Sequence, residues 1–276
     1  MRLPFTKMQG LSNDFVIIDE RKISYNLTEQ DLKAIADRRI GVGCDQVLII
    51  RSSNSGTVAA SYFVFNSDGS RAGHCGNGLR CVARYLSRLQ GIAESIWIEV
   101  GENFVEAQMQ TGSLVRVSMG PPEFEPKKIP LKAEKEREVY TMLVNGERMR
   151  FGAVSVGNPH AVIKVDDVDF AKISEVGSAV QRSRLFPEGV NVGFAQIVSP
   201  TEIHLRVFER GAGETPACGT GACGAVAVCR KWRLIEDRVN VELPGGKLTI
   251  EWDDETADSI WMTGPAEHVF TGEINL

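Results

Sequence analysis

Apolar and polar residues alternate in short, β-branched runs along most of the chain, at 15–18, 47–50, 61–65, 96–100 and 115–118. Runs of this length and composition predict strands. Patterns with helical period are fewer and predict helices over 28–38, 76–89, 170–181 and 219–232. Thr28 followed by Asp31 has the form of a capping box and opens the first of these. Pro244-Gly245-Gly246 separates two further strand-like runs and predicts a hairpin turn.

The pattern is written twice. Cys75-Gly76-Asn77-Gly78 recurs as Cys218-Gly219-Thr220-Gly221, 143 positions later. Phe65-Asn66 returns as Phe208-Glu209, and the run 96–100 as 239–243, at the same spacing. Nearer each start the spacing slips to 145, where Asn13 matches Asn158 and Gln46 matches Asn191. A duplicated pattern implies a duplicated unit. The expected architecture is α+β: two pseudo-symmetric domains, each a mostly antiparallel sheet wrapped around a central helix. The expected halves are 1–120, joined by a C-terminal strand 266–276, and 121–265. The proline-rich stretch from Pro121 to Pro126 is the expected linker. Facing across a pseudo-two-fold axis, such halves would bring the matching cysteines to opposite sides of one cleft.

Composition narrows the class. Hydrophobic residues make up 43% and charged residues 24% of 276, with a net charge of −5. That balance predicts a globular protein without nucleic acid or membrane as partner. No apolar run is long enough to span a bilayer, and the first residues lack the form of a signal peptide. Six cysteines without a C-x-x-C pair, and only four histidines, predict free thiols, a cytoplasmic location and no metal site.

The chemistry follows from where the repeat places Cys75 and Cys218. Each stands at a predicted helix start, where unpaired N–H groups and the helix dipole favour a thiolate. One thiolate that takes a proton and one thiol that gives one, on opposite faces of a carbon, can invert a stereocentre. The N–H groups of Gly76, Asn77, Gly219 and Thr220 would hold a carboxylate and the charge that develops on it. Cys81, Cys223 and Cys229 read as small buried hydrophobes within the helices. Cys44, in a glycine-rich loop, could line the site.

The motifs Gly10-Leu11-Ser12-Asn13-Asp14-Phe15, Gly41-Val42-Gly43-Cys44-Asp45-Gln46, Asn66-Ser67-Asp68-Gly69-Ser70, Cys75-Gly76-Asn77-Gly78-Leu79-Arg80-Cys81, Gly157-Asn158-Pro159-His160 and Glu209-Arg210-Gly211-Ala212-Gly213-Glu214-Thr215 resemble those of the diaminopimelate epimerase family. The resemblance spans almost the whole chain. It implies interconversion of LL- and meso-2,6-diaminopimelate, in lysine and peptidoglycan-precursor synthesis, by a homodimer without cofactor or metal. It maps the catalytic cysteines onto Cys75 and Cys218 and their neighbours onto His160 and Glu209. Substrate contacts map onto Asn66, Asn158, Asn191, Glu209 and Arg210, with Asn13 and Gln46 lining the site. Arg210 would clamp the distal carboxylate and Glu209 the distal ammonium. The chain departs from the usual family pattern at Gln9, Ser12, His74 and Pro216, none of them a catalytic or clamping position.

Three other readings compete. A racemase for another amino acid could use the same scaffold, although a smaller substrate would not need Glu209, Arg210 and three asparagines together. Paired cysteines could instead form a redox-sensing disulfide. A pyridoxal-phosphate racemase would need a Schiff-base lysine, and no lysine stands in a suggestive motif.

Overall fold

In the computed structural model the described residues are 1–53, 55, 58–73, 75–91, 94–253 and 259–276; His74 lies outside them. In chain order the elements are β1 (Arg2–Gly10), β2 (Asn13–Asp19), α1 (Glu29–Ala36), β3 (Gln46–Arg51), β4 (Ala60–Asn66), β5 (Arg71–Ala72), α2 (Gly76–Gln90), β6 (Ser95–Val100), β7 (Asn103–Met109) and β8 (Leu114–Ser118). There follow β9 (Tyr140–Val144), β10 (Glu147–Ser155), β11 (Pro159–Val165), α3 (Ile173–Gln181), β12 (Asn191–Ser199), β13 (Glu202–Glu209), β14 (Gly213–Thr215), α4 (Gly219–Lys231), β15 (Arg238–Leu243), β16 (Gly246–Glu251), β17 (Trp261–Pro265) and β18 (Glu267–Asn275). The chain divides into two units, Met1–Ser118 with Thr263–Leu276, and Met119–Met262.

Strand pairing in the second unit repeats that of the first almost residue for residue. The parallel pair β2–β3 sets Phe15 opposite Gln46, and the parallel pair β11–β12 sets His160 opposite Asn191. The parallel pair β4–β6 aligns Ser61 with Glu99; β13–β15 aligns His204 with Glu242. The hairpin β6–β7 runs from Ser95↔Gln108 to Val100↔Asn103, and β15–β16 from Arg238↔Glu251 to Leu243↔Gly246. The remaining pairs within each unit are antiparallel, among them β1–β2 with β1–β18 in the first and β9–β10 with β12–β13 in the second. Each unit is thus α+β, a mostly antiparallel sheet around one central helix, which is the architecture the duplicated pattern predicts.

The two central helices are buried for different sequence reasons. Apart from Thr220, α4 is built from glycine, alanine, valine and cysteine as far as Cys229, and Gly219 to Cys229 are all buried. A helix that is apolar and small all round belongs inside a sheet. It packs on β10, β11, β12, β13 and β16. α2 packs on β1, β2, β3, β6, β7 and β8, with its first two turns buried and its last turn emerging. The outer helices cover the opposite faces. α1 closes a core of Leu3, Val16, Ile18, Leu32, Ile35, Val47 and Ile49, and α3 one of Phe151, Ile163, Ile173, Val180, Val192 and Phe194.

Local signals held with two adjustments. Thr28 caps α1 in a complete capping box with Asp31. The helix ends at Ala36 rather than at position 38, because the Asp37 side chain turns back to accept from the N–H groups of Arg39 and Ile40. α3 begins at Ile173, three residues later than the periodicity predicts. Phe170 is 86% exposed and off the buried face, and Lys172 offers no side-chain cap.

Candidate active site

In the first unit, the ends of β2, β3 and β4 converge on the start of α2. Cys75 is the N-cap of α2, in extended conformation, and its Sγ accepts from the Gly78 N–H at 3.4 Å. The thiol also reaches Asn13 Oδ1 at 3.8 Å, and that oxygen accepts from Asn77 Nδ2 at 3.3 Å. Arg80, fully buried one turn further along the helix, donates from Nη2 to Asn77 Oδ1 at 2.9 Å and from Nε to Pro265 O at 3.3 Å. The Tyr62 hydroxyl donates to Cys75 O at 3.2 Å.

A charged brace holds Asn13 in place. Its Nδ2 donates to Asp45 Oδ2 at 2.9 Å, and Arg38 bridges Asp45 and Asp14, both at 2.7 Å. Burial opposes the charge of Asp14, but hydrogen bonds from Arg38 and Lys7 outweigh it and hold the carboxyl below its ordinary range. Beside the brace, Gln46 Nε2 donates to Asn66 Oδ1 at 3.1 Å, and Asn66 Nδ2 donates to Ser70 Oγ at 3.1 Å. Cys44, also in this unit, is buried, which pushes its thiol up to about 12. It packs in the core under α1.

The second unit repeats the backbone and changes the charge. Cys218 is the N-cap of α4 in nearly the same conformation and is 4% exposed. Its Sγ donates to Glu209 Oε2 at 3.0 Å and lies 3.6 Å from Thr220 Oγ1. The other carboxylate oxygen of Glu209 accepts from the Thr215 hydroxyl. Burial first, and the Glu209 carboxylate second, push the Cys218 thiol well above its ordinary value. The helix start alone predicts the opposite sign. A buried thiol facing an anion has lost its hydration and gained a repulsion, and both favour the proton staying on sulfur.

His160 stands at the start of β11 and is 1% exposed. Its Nε2 pairs with Asn158 Oδ1 at 2.8 Å. Burial, and then the charge of Arg210, lower its pKa to about 3, so the ring is neutral and donates to the amide oxygen. The ring fits because position 224 on α4 is glycine; a Cβ there would stand 3.2 Å from the Cβ and Cγ of His160. Asn191 Oδ1 accepts from the Arg210 N–H at 2.8 Å, and Arg210 Nη1 donates to Glu188 O at 2.9 Å.

The predicted residues therefore gather into two half-sites. Cys75, Gly76, Asn77, Asn13, Gln46 and Asn66 belong to the first unit, and Cys218, Gly219, Thr220, Asn158, His160, Asn191, Glu209 and Arg210 to the second. Glu209 has both oxygens engaged, by Cys218 and Thr215. Sequence reasoning missed Thr215, Asp14, Asp45, Arg38, Tyr62 and Arg80. Asp14 and Asp45 adjoin predicted residues, but no linear spacing links them to Arg38. Among the described residues, no three histidine, cysteine, aspartate or glutamate side chains gather as a metal-binding group.

The model of the diaminopimelate epimerase family matches residues 5–125 and 152–269. A diaminopimelate epimerase of Alkalilimnicola ehrlichii is 48% identical over 100% of both chains. The chain belongs to the diaminopimelate epimerase family. It is accordingly an isomerase, and both half-sites lie within the matched segments. The diaminopimelate epimerase of Thioalkalivibrio sulfidiphilus is 46% identical, again over 100% of both chains. Among solved structures, a PhzF-family phenazine biosynthesis protein of Bacillus anthracis matches with a TM-score of 0.69 at 17% identity, covering 100% of both chains. A hydroxyproline epimerase of Agrobacterium vitis gives 0.69 at 15% identity, over 99% of this chain and 91% of that one. At such identities these two share the fold and nothing finer.

Proposed function

We propose that the chain interconverts LL- and meso-2,6-diaminopimelate by two-base proton transfer at Cα, without a cofactor. The observation that carries the mechanism is the difference between two equivalent cysteines. Cys75 Sγ accepts from the Gly78 N–H and donates to the neutral amide of Asn13, whereas Cys218 donates to a carboxylate. In the proposed cycle Cys218, held protonated by burial and by Glu209, rests as the thiol, and Cys75 ionises to take the Cα proton. The Cα proton passes to Cys75 as the Cys218 proton passes to the opposite face, leaving Cys75 a thiol and Cys218 a thiolate. The reverse reaction, or exchange with water, restores the starting state. Charge on the substrate carboxylate is met by the N–H groups of Gly76, Asn77, Gly219 and Thr220, which lie in the first turns of α2 and α4.

Arg210 and the asparagines Asn66, Asn158 and Asn191 bind the distal end of the substrate, with Asn13 and Gln46 lining the proximal end. Glu209 governs the protonation of Cys218 while the site is empty and takes the distal ammonium when substrate binds. Identity of 48% over the full length to a diaminopimelate epimerase supports this substrate. No described helix is long and apolar enough to cross a membrane, in keeping with a cytoplasmic step of lysine and peptidoglycan-precursor synthesis. The active form is a homodimer, which sedimentation would test.

The deciding experiment follows LL-diaminopimelate in deuterated water by stereochemistry and Cα–H exchange. The parent should exchange and epimerise, and Cys75→Ala and Cys218→Ala should not invert. A parent that leaves this substrate untouched overturns the assignment. Glu209→Gln tests the resting state. Without the carboxylate the Cys218 thiol ionises more readily, so the pH midpoint for its alkylation, read by mass spectrometry, should fall. An unchanged or higher midpoint contradicts the assigned role of Glu209.

A further inference from the structure

The second unit opens a pocket of about 440 Å3 lined by Glu138, Val139, Arg150, Lys164, Trp232 and Leu234. Its origin is a fork in the sheet. β10 pairs with β11 only from Gly152↔Val162 onward; before that, Glu147 to Phe151 pair with β9 instead. Arg150 and Lys164 therefore stand on strands that have parted. Trp232, the C-cap of α4, lies at the fork, and its Nε1 donates to Glu138 O at 2.8 Å. Position 152 must be glycine for the helix end to come so close, since a Cβ would meet Val228 Cγ1 at 2.3 Å and Trp232 Cζ2 at 3.0 Å.

The first unit differs at the equivalent place. Its counterpart of Lys164 is Asp19 and of Val228 is Tyr85. Asp19 accepts from the Tyr85 hydroxyl at 3.2 Å and from Arg21 Nε at 2.9 Å, so charge there is matched within the unit. In the second unit no such match exists. Arg150, Lys164 and Glu138 are exposed and form no side-chain ion pair among the described residues. The lining carries two cations, one anion, an indole and a leucine. A guanidinium and an ammonium beside apolar surface suit a carboxylate on an apolar body.

We infer that this fork is a second ligand site, for a small organic carboxylate with an apolar or aromatic body. The carboxylate pairs with Arg150 and Lys164, and the body lies against Trp232 and Leu234. Nothing in this site takes part in the proposed proton transfer, so it stands or falls independently of it.

The test uses phenylacetate and the indole N–H resonances of the full chain in a 15N–1H spectrum. Trp232→Phe identifies the Trp232 signal among the four tryptophans. Phenylacetate should shift that signal saturably, with a Kd on the order of 1 mM. Arg150→Gln and Lys164→Gln together should weaken binding at least about tenfold, as loss of charge-assisted hydrogen bonds does. The other three indole signals report that these variants remain folded. Phenethylammonium, with the charge reversed, should leave the Trp232 signal in place. No shift at about 20 mM phenylacetate, where such a site would be nearly full, overturns the inference. So does an equal response in the double variant or to phenethylammonium.

Discussion

Cys75 and Cys218 show how one residue type in one backbone setting acquires two characters. Both are N-caps of central helices in extended conformation. The position matching Glu209 in the first unit is Asn66, a neutral amide bonded to Gln46 and Ser70. Glu209 in place of Asn66 therefore gives Cys218 a carboxylate to donate to, where Cys75 pairs with the neutral amide of Asn13. His160 carries a second consequence at this scale. Its pKa in the folded state is about 3, below the ordinary value of 6.5. Above pH 6.5 the ring is neutral folded or unfolded, and the shift has no effect on stability. As pH falls from 6.5 towards 3 the unfolded chain takes up a proton that the folded one refuses, so stability is lost across that window. The slope approaches ~1.4 kcal/mol per pH unit. His160→Gln should therefore flatten the loss of urea stability between pH 7 and pH 5 by about 2 kcal/mol. A variant that tracks the parent over that range would show that the ring is already charged in the fold.

At the scale of elements, helix ends follow the sequence where a local signal marks them and depart from it where packing decides. Thr28 and Asp31 are neighbours in sequence and cap α1 as their spacing predicts. The start of α3 is set by which residues meet β12 and β13, and Phe170 meets neither the core nor a cap. The closeness of α4 to its sheet depends on glycine at position 152. Gly152→Ala should cost about 1–3 kcal/mol by overpacking against Val228. Shortening the partner makes room, so Gly152→Ala with Val228→Ala should be more stable than the sum of the single effects by about 1 kcal/mol. Chemical denaturation of the four proteins measures this. Strict additivity would mean that the two side chains do not contend for one space.

At the scale of the whole molecule, the first unit is discontinuous. β1 pairs with β2 on one side and with β18 on the other, from Arg2↔Asn275 to Gln9↔Glu267. The last strand of the chain therefore belongs to the sheet that the first strand opens. Deleting residues 266–276 should strip hydrogen-exchange protection from β1 and its core neighbours Leu3 and Val16, while the amides of α4 keep theirs. Full protection of β1 in the shortened chain would mean that β2 and the α1 core suffice to hold it.

The sequence by itself determined the duplication, the strand runs, the two helix starts and the residue types in the motifs. These are local or periodic properties, and a spacing of 143 survives folding unchanged. Strand registers follow from the same source, since a one-residue slip would turn every core residue outward. Only tertiary structure decided what surrounds each motif. Asp45 and Arg38 support Asn13 through contacts that no spacing encodes, and Thr215 joins Glu209 because β14 folds back on β13. The sign of the Cys218 shift belongs here as well. A helix start can be read from glycine and cysteine, but burial and an opposed carboxylate are products of packing, and in the low-polarity interior they outweigh it.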